Sequence, residues 1–571
     1  MPSIHRLVTL TVASLAAVQA ATTPLSIPST SDVSGPRAAA IASHASEIAN
    51  AKRTITIAGG VYPFYDGPVA ANNSLTAQIQ DTEVAKLATF TTTQPQQLVN
   101  LATSLASTLT SMEAIANIFT LADPFISKPM AMDNSDETFG HQRLTIKSFT
   151  LRLATNADVT DKPLSLSSAQ LGDKCGNKSD EKTLLANNQL FVENFSNISL
   201  WNDPVHPEKY APNVVGFFCF NKESQKLLPI EIRFPDTKLA YTSYDTADEW
   251  TLAKMGLEAA SVLYHQMSHM AETHSVTIPI RVELFRNMAE QHPVRALLVN
   301  HIYSDFALEK LAGIRLLNES TALDQTFGWG ATGSNRFLYY QTNNYVSFKR
   351  NFFADINKRG LYHIPNHKYA HYGSLYFVAI RQFVEQYVNT YYASDAALTA
   401  DFELQNWAKA CPQVSQLHDF PSKIETKTQL RDLLTHLIFL STIHHHAMNS
   451  MAMWHGMAVP YSPAALWKPL PTAKLQKGEK LNLLEYTVPV KVIPVSLGLG
   501  SMFYREVPES ESLVGVYKTA PFNNEPLLKS AIDEFHANMV AIDAIVVNGE
   551  KNEKWPFDLM RPQNMSYYTW V

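Results

Sequence analysis

The sequence predicts a mainly α-helical fold with a small β-sheet subregion, and two observations carry that prediction. From Asp245 onward, stretches such as DEWTLAKMGLEAASVLYHQMSHMAETH, HYGSLYFVAIRQFVEQYVNTYY and TQLRDLLTHLIFLSTIHHHAMNSMAMW keep helical spacing over far more residues than a strand holds. Ahead of them, LTIKSFTLRL (144 to 153), NQLFVENF (188 to 195) and the pair VVGFFCF and LLPIEIRF, parted by a polar turn, alternate or run apolar as strands do. No internal repeat interrupts this order, and no apolar run is long enough to cross a bilayer.

The first residues read as a leader. His5 and Arg6 precede an apolar run from Leu7 to Val18, and Val18-Gln19-Ala20 offers small residues at the positions a signal peptidase needs, so residues 1–20 are expected to be removed and the protein secreted. Six Asn-x-Ser/Thr triplets, at Asn72, Asn177, Asn194, Asn197, Asn318 and Asn564, agree with passage through a glycosylating compartment. Residues 21–55, rich in Ala, Ser, Thr and Pro with little periodicity, predict a mobile segment, and residues 56–571 one large domain. Three cysteines allow one intrachain disulfide at most, expected between Cys175 and Cys219, with Cys411 left as a buried inert thiol.

Composition excludes several classes. With 46% hydrophobic and 17% charged residues the chain can bury an extensive core and is not disordered. A net charge of -6 and a pI near 6.3 leave no basic footprint for nucleic acid. HExxH and GxSxG are both absent, which argues against a zinc peptidase or a serine esterase.

The chemistry-bearing signal is histidine spacing. His269 and His274 share one predicted helix, seventeen residues separate His274 from His292, and eight separate His292 from His301. Successive α-helical residues turn by about 100°, so positions five apart differ by roughly 140° and do not face a common point. A π-bulge within the helix brings such a pair together. Downstream, HHHAMN sets His445 and Asn449 four apart, roughly 40° from each other, so an ordinary helix aims both one way while His444 and His446 point elsewhere. For any lone histidine a satisfied packing role is the commoner one, and His292 and His301 are assigned packing or supporting roles.

Taken jointly, these spacings resemble the lipoxygenase family, together with NQLFVENF, LLPIEIRF, EWTLAK, HPVRALLVNH, LAGIRLLN, PAALWKPLP and an aliphatic C-terminus. The resemblance runs over roughly residues 185 to 571 and implies a large helical catalytic domain without the N-terminal β-barrel of plant and animal members, as in the shorter secreted fungal form. It assigns metal-ligand roles to His269, His274, His445, Asn449 and the terminal carboxylate of Val571. Three imidazoles, an amide oxygen and a carboxylate without thiolate suit manganese or iron better than zinc or copper. The likeness to secreted fungal members favours one manganese ion per chain, with iron the alternative. A carboxylate buried with the uncharged tail Tyr567, Tyr568, Thr569, Trp570 and Val571 would need such a cation beside it.

The resemblance also places Gln266 and Ala312 at the substrate, with Ala312 where a small residue is associated with the face at which oxygen adds, and Arg505 is a candidate partner for a fatty-acid carboxylate. It departs from the family at Ala452, where a polar residue often follows the Asn ligand, and in the short interval from His265 to His269. The implied reaction is dioxygenation of cis,cis-1,4-diene fatty acids such as linoleic and α-linolenic acid, with a metal-bound hydroxide taking the hydrogen atom and no separate protein base. The implied partners are the fatty acid and dioxygen. The enzyme is expected to be a monomer, with peripheral contact to membrane or lipid micelles allowed. A secreted lipid-binding protein that keeps the fold without chemistry is the rival reading.

Overall fold

Strand-forming sequence between residues 188 and 241 supplies four strands, and residues 152–153 a fifth, of an antiparallel meander in the computed structural model, which describes residues 24–48, 51–57, 60–67, 75–88, 94–121, 133–176, 179–451, 460–503 and 506–569. Its strands, β1 (Arg152–Leu153), β2 (Leu190–Phe195), β3 (Val214–Asn221), β4 (Lys226–Phe234) and β5 (Leu239–Tyr241), pair in chain order. Both faces are covered. Phe191, Phe218, Phe220 and Ile232 pack into the main helical core, while Leu190, Val192, Phe217 and Ile230 face a smaller apolar cluster with Leu171 and Leu184. Burial on two sides explains why VVGFFCF runs apolar instead of alternating. The Cys175–Cys219 disulfide, as expected, ties β3 to the short helix Ser168–Cys175, and Cys411 is a buried free thiol.

Residues 144–153 depart from the strand expectation. Only Arg152 and Leu153 pair as strand; the segment before them closes helix α2 (Asp136–Leu144) and turns, with the Lys147 N–H donating to the Gln142 carbonyl at 2.7 Å. Within it Lys147 belongs to a buried ion network. Arg143 donates to Glu193 at 3.0 Å and to Glu258 at 2.6 Å, and Lys147 also pairs with Glu258. Burial pushes the Lys147 ammonium down to about 8, while Arg143 and Lys147 hold the Glu258 carboxylate, against its own burial, down to about 2.

Over residues 24–48 the N-terminal lead-in carries secondary structure and contacts the helical body. Leu25 donates its N–H to Glu525 at 2.9 Å, and helix α1 (Pro36–Glu47) buries Arg37 against Glu403. Its many alanines hide the helix from a periodicity argument, although Ala is a strong helix former. After it come an antiparallel strand pair, Ala51–Ile57 with Gly60–Gly67, and further helices, so among the described residues no barrel precedes the helical body. The expected leader, residues 1–20, lies outside the described residues.

The helices that build the centre follow. Helix α3 (Ala247–His269) opens on a capping box in which Thr246 and Glu249 bond reciprocally, passes into a π-helical turn, Met270–His274, and continues as α4 (Ser275–Asn287). Then come α5 (Asp305–Arg315), α6 (Gly330–Asn344), α7 (Lys368–Tyr391), α8 (Lys427–Phe439), a second π turn at Leu440–His444, α9 (His445–Met451) and α10 (Lys529–Glu550). One apolar cluster runs from the sheet through these helices, with Trp329 and Trp407 fully buried within it. Among the described residues no helix is long and apolar enough to cross a membrane.

Candidate metal centre

Each π turn has to find partners for carbonyls that its widened backbone leaves behind. In the first, the Thr273 hydroxyl donates to the His269 carbonyl; in the second, Ser441 and Thr442 donate to the Leu437 and Ile438 carbonyls at 2.8 and 2.6 Å. The bulge that the His269–His274 spacing requires is therefore present. The second bulge was not foreseen, because the four-residue interval from His445 to Asn449 needs none; it sits just before His445.

The two bulged helices bring three imidazoles together. Ring centroids lie 4.9 Å apart for His269 and His274, 4.7 Å for His269 and His445, and 4.7 Å for His274 and His445. Their nearest ring nitrogens all fall within 4.8 Å of one another, and Nε2 of His274 and His445 stand 3.0 Å apart. Burial, reinforced by the neighbouring imidazoles, holds His269 and His445 well below the ordinary histidine range, so both rings stay neutral with lone pairs to give. Neither nitrogen of His269 has a hydrogen-bond partner. An orphaned buried polar atom costs about 1–3 kcal/mol, a penalty that a cation accepting these lone pairs would remove.

Asn449 repeats the pattern. Its amide nitrogen donates to the Phe503 carbonyl at 3.4 Å, which leaves its buried Oδ1 without a partner. The flanking histidines face away, as their helical positions require: Tyr369 meets His444 Nδ1 at 3.0 Å, and His446 Nε2 meets the Leu559 carbonyl at 3.2 Å. His265 is likewise satisfied, with Nδ1 on the Ser261 carbonyl at 2.7 Å.

Sequence reasoning missed Asp305. This fully buried carboxylate, the first residue of α5, lies 3.1 Å from His274 Nδ1 and so fixes which nitrogen the ring turns toward the cluster. No motif surrounds it; only the fold brings it to His274. Ser304 before it adopts a left-handed backbone, φ 71°, as the chain enters the helix.

The C-terminal tail is built into the same corner. His301 Nδ1 meets the Tyr567 carbonyl at 2.6 Å and its Nε2 the Tyr517 hydroxyl at 2.6 Å, while Ser304 donates to the Thr569 carbonyl at 2.6 Å. Tyr568 and Thr569 are buried. His292 instead bridges Asp401, at 3.0 Å, and the Val294 N–H, at 3.1 Å, as a packing residue. Val571, Arg505 and Ala452 lie outside the described residues. Gln266 is buried one turn ahead of His269 with its Nε2 unpartnered. Ala312, half-buried, is seven residues beyond Asp305 on α5, hence on nearly the same helix face and about 10 Å along the axis.

A family model, Lipoxygenase, matches residues 185–567. The chain belongs to the lipoxygenase family. Among curated lipoxygenases it is 27% identical to the manganese lipoxygenase of Colletotrichum gloeosporioides over 72% of this chain and 68% of that protein. It is 32% identical to the manganese lipoxygenase of Gaeumannomyces avenae, where the match spans 47% of this chain and only 46% of the relative. The solved manganese lipoxygenase of Gaeumannomyces graminis superposes with a TM-score of 0.80 at 22% identity, covering 96% of this chain and all of that one, and so shares the lipoxygenase fold.

Proposed function

We propose that this lipoxygenase is a secreted manganese enzyme that dioxygenates cis,cis-1,4-diene fatty acids, linoleic and α-linolenic acid among them, to hydroperoxides. The observation that carries this reading is the convergence of three imidazoles on one point, with His269 wholly unpartnered and the buried oxygen of Asn449 free. Manganese is favoured over iron because the fungal relatives above bear that name. His269, His274, His445 and Asn449 would hold the ion, joined by the carboxylate of Val571. Bound there, it would supply the one-electron redox chemistry that dioxygenation of a bis-allylic carbon needs.

The protein's own residues do the positioning. Asp305 holds the His274 ring, the Thr273 hydroxyl braces the bulge, and the bonds from His301 and Ser304 carry the tail to within two residues of Val571. Gln266 and Ala312 are assigned to the fatty-acid chain, and Arg505 to its carboxylate. A monomer that meets lipid surfaces only peripherally is part of the same reading. Elemental analysis of the secreted protein together with conjugated-diene absorbance on linoleate tests it. One manganese per chain and diene formation are expected, both lost in His274→Gln; stoichiometric metal without any diene would leave the rival, a lipid-binding protein without chemistry.

A further inference from the structure

A second convergence of ligand atoms lies apart from the histidine trio, where the loop after the 3-10 turn Ile198–Trp201 meets the start of α6. Asp203, His206 and Asp324 each offer an atom within 4.8 Å of the others, and His206 Nε2 stands 3.5 Å from Asp324 Oδ2. That separation is longer than a hydrogen bond should be, yet about what two ligands show when each sits roughly 2.1 Å from one ion. Asp203 is 3% exposed. Its Oδ1 accepts the Val205 N–H at 2.8 Å, while Oδ2 is buried with no partner at all.

The Lys209 ammonium is close enough to feel the charges of Asp203 and Asp324, yet no donor reaches Oδ2. Lys209, the adjacent ammonium, donates instead to the Phe327 carbonyl at 2.7 Å. Asp324 serves backbone as well, accepting the Ser320 N–H at 2.7 Å and the Ala331 N–H at 2.9 Å, so part of its role is to cap α6. Capping does not account for the unpartnered oxygen of Asp203 or for an imidazole turned toward the pair. His206 Nδ1 lies 3.3 Å from Glu208, the carboxylate-behind-histidine arrangement that orients a ligating ring. Asp203 Oδ2 also occupies the place where a Cβ on residue 330 would stand, 2.1 Å away, so only Gly330, with φ +53°, lets the carboxylate reach this position.

We infer that Asp203, His206 and Asp324 form a second, structural metal site that takes a divalent first-row transition cation such as Zn2+. Two carboxylates and one imidazole favour that class over Ca2+, which prefers oxygen alone. The ion would clamp the loop to the start of α6, whose far end reaches the first π turn through the Gln341–Glu272 hydrogen bond of 2.6 Å.

The test is a ZnCl2 titration of the purified full-length holoenzyme, freed of loosely held metal and followed by calorimetry, with melting temperature as a second readout. One saturable Zn2+ per chain beyond the ion of the histidine centre is expected, with a rise in melting temperature. His206→Ala, at a partly exposed position, and Asp203→Asn should each weaken that binding at least tenfold while diene formation persists. In His274→Gln the Zn2+ titration should remain, which separates this site from the histidine centre. No saturable binding in the wild type, or unchanged binding in both His206→Ala and Asp203→Asn, overturns the inference.

Discussion

Asp305 shows how much one unsignalled residue can govern. Its contact with His274 Nδ1 is the kind of outer hydrogen bond that selects a tautomer and strengthens a metal-binding nitrogen. Asp305→Asn keeps the shape and removes the charge, so metal affinity should fall by roughly 10–100-fold while the fold survives. Competition with a chelator, followed by elemental analysis, measures this; unchanged retention would make Asp305 a packing residue only. The histidines were legible because their types and intervals stand in the chain itself. Asp305 was not, since its meaning arises only where α5 starts beside α4, thirty-one positions from its partner.

Among the elements, the π turns carry most of the site's geometry. A π turn is rare in isolation because its widened backbone loses good i to i+4 bonds, and here hydroxyls from Thr273, Ser441 and Thr442 take up carbonyls on the bulged segments. Thr273→Val preserves volume but leaves the buried His269 carbonyl short of that donor. A loss of about 1–3 kcal/mol is expected. Denaturant midpoints should show it, accompanied by weaker metal retention, whereas an exposed threonine would give neither. The first bulge could be read from the five-residue interval, but the second could not, because α9 alone already aligns His445 with Asn449. Helix lengths and the strands of 188 to 234 were equally plain in the sequence. Residues 144–153 misled for a physical reason: polar side chains with internal partners, Lys147 paired with Glu258 and Thr150 donating to Glu193 at 2.5 Å, fall among the apolar ones much as solvent-facing residues do along a half-exposed strand.

Over the whole molecule, burial of neutral histidines links the core to pH. Away from the histidine trio, burial pushes His301 and His436 down to about 4 and His367 to about 3, from an ordinary value of 6.5. His301 fastens the tail, His436 meets Ser347 at 3.2 Å, and His367 caps α7 by accepting the Ala370 N–H at 3.3 Å, so three separate regions share this property. The unfolded chain binds protons at these positions near pH 6.5, and the folded chain does so only nearer 3 to 4. Between those limits the unfolded state holds more protons, so stability is fully present above about pH 6.5 and declines as pH falls toward 4. Urea midpoints taken from pH 7.5 down to about 4.5 should drop steadily, and His301→Gln should flatten part of that slope, since an uncharged amide takes up no proton on unfolding. A midpoint that rises on acidification, or a slope unchanged in His301→Gln, would show that His301 is not held neutral by the fold.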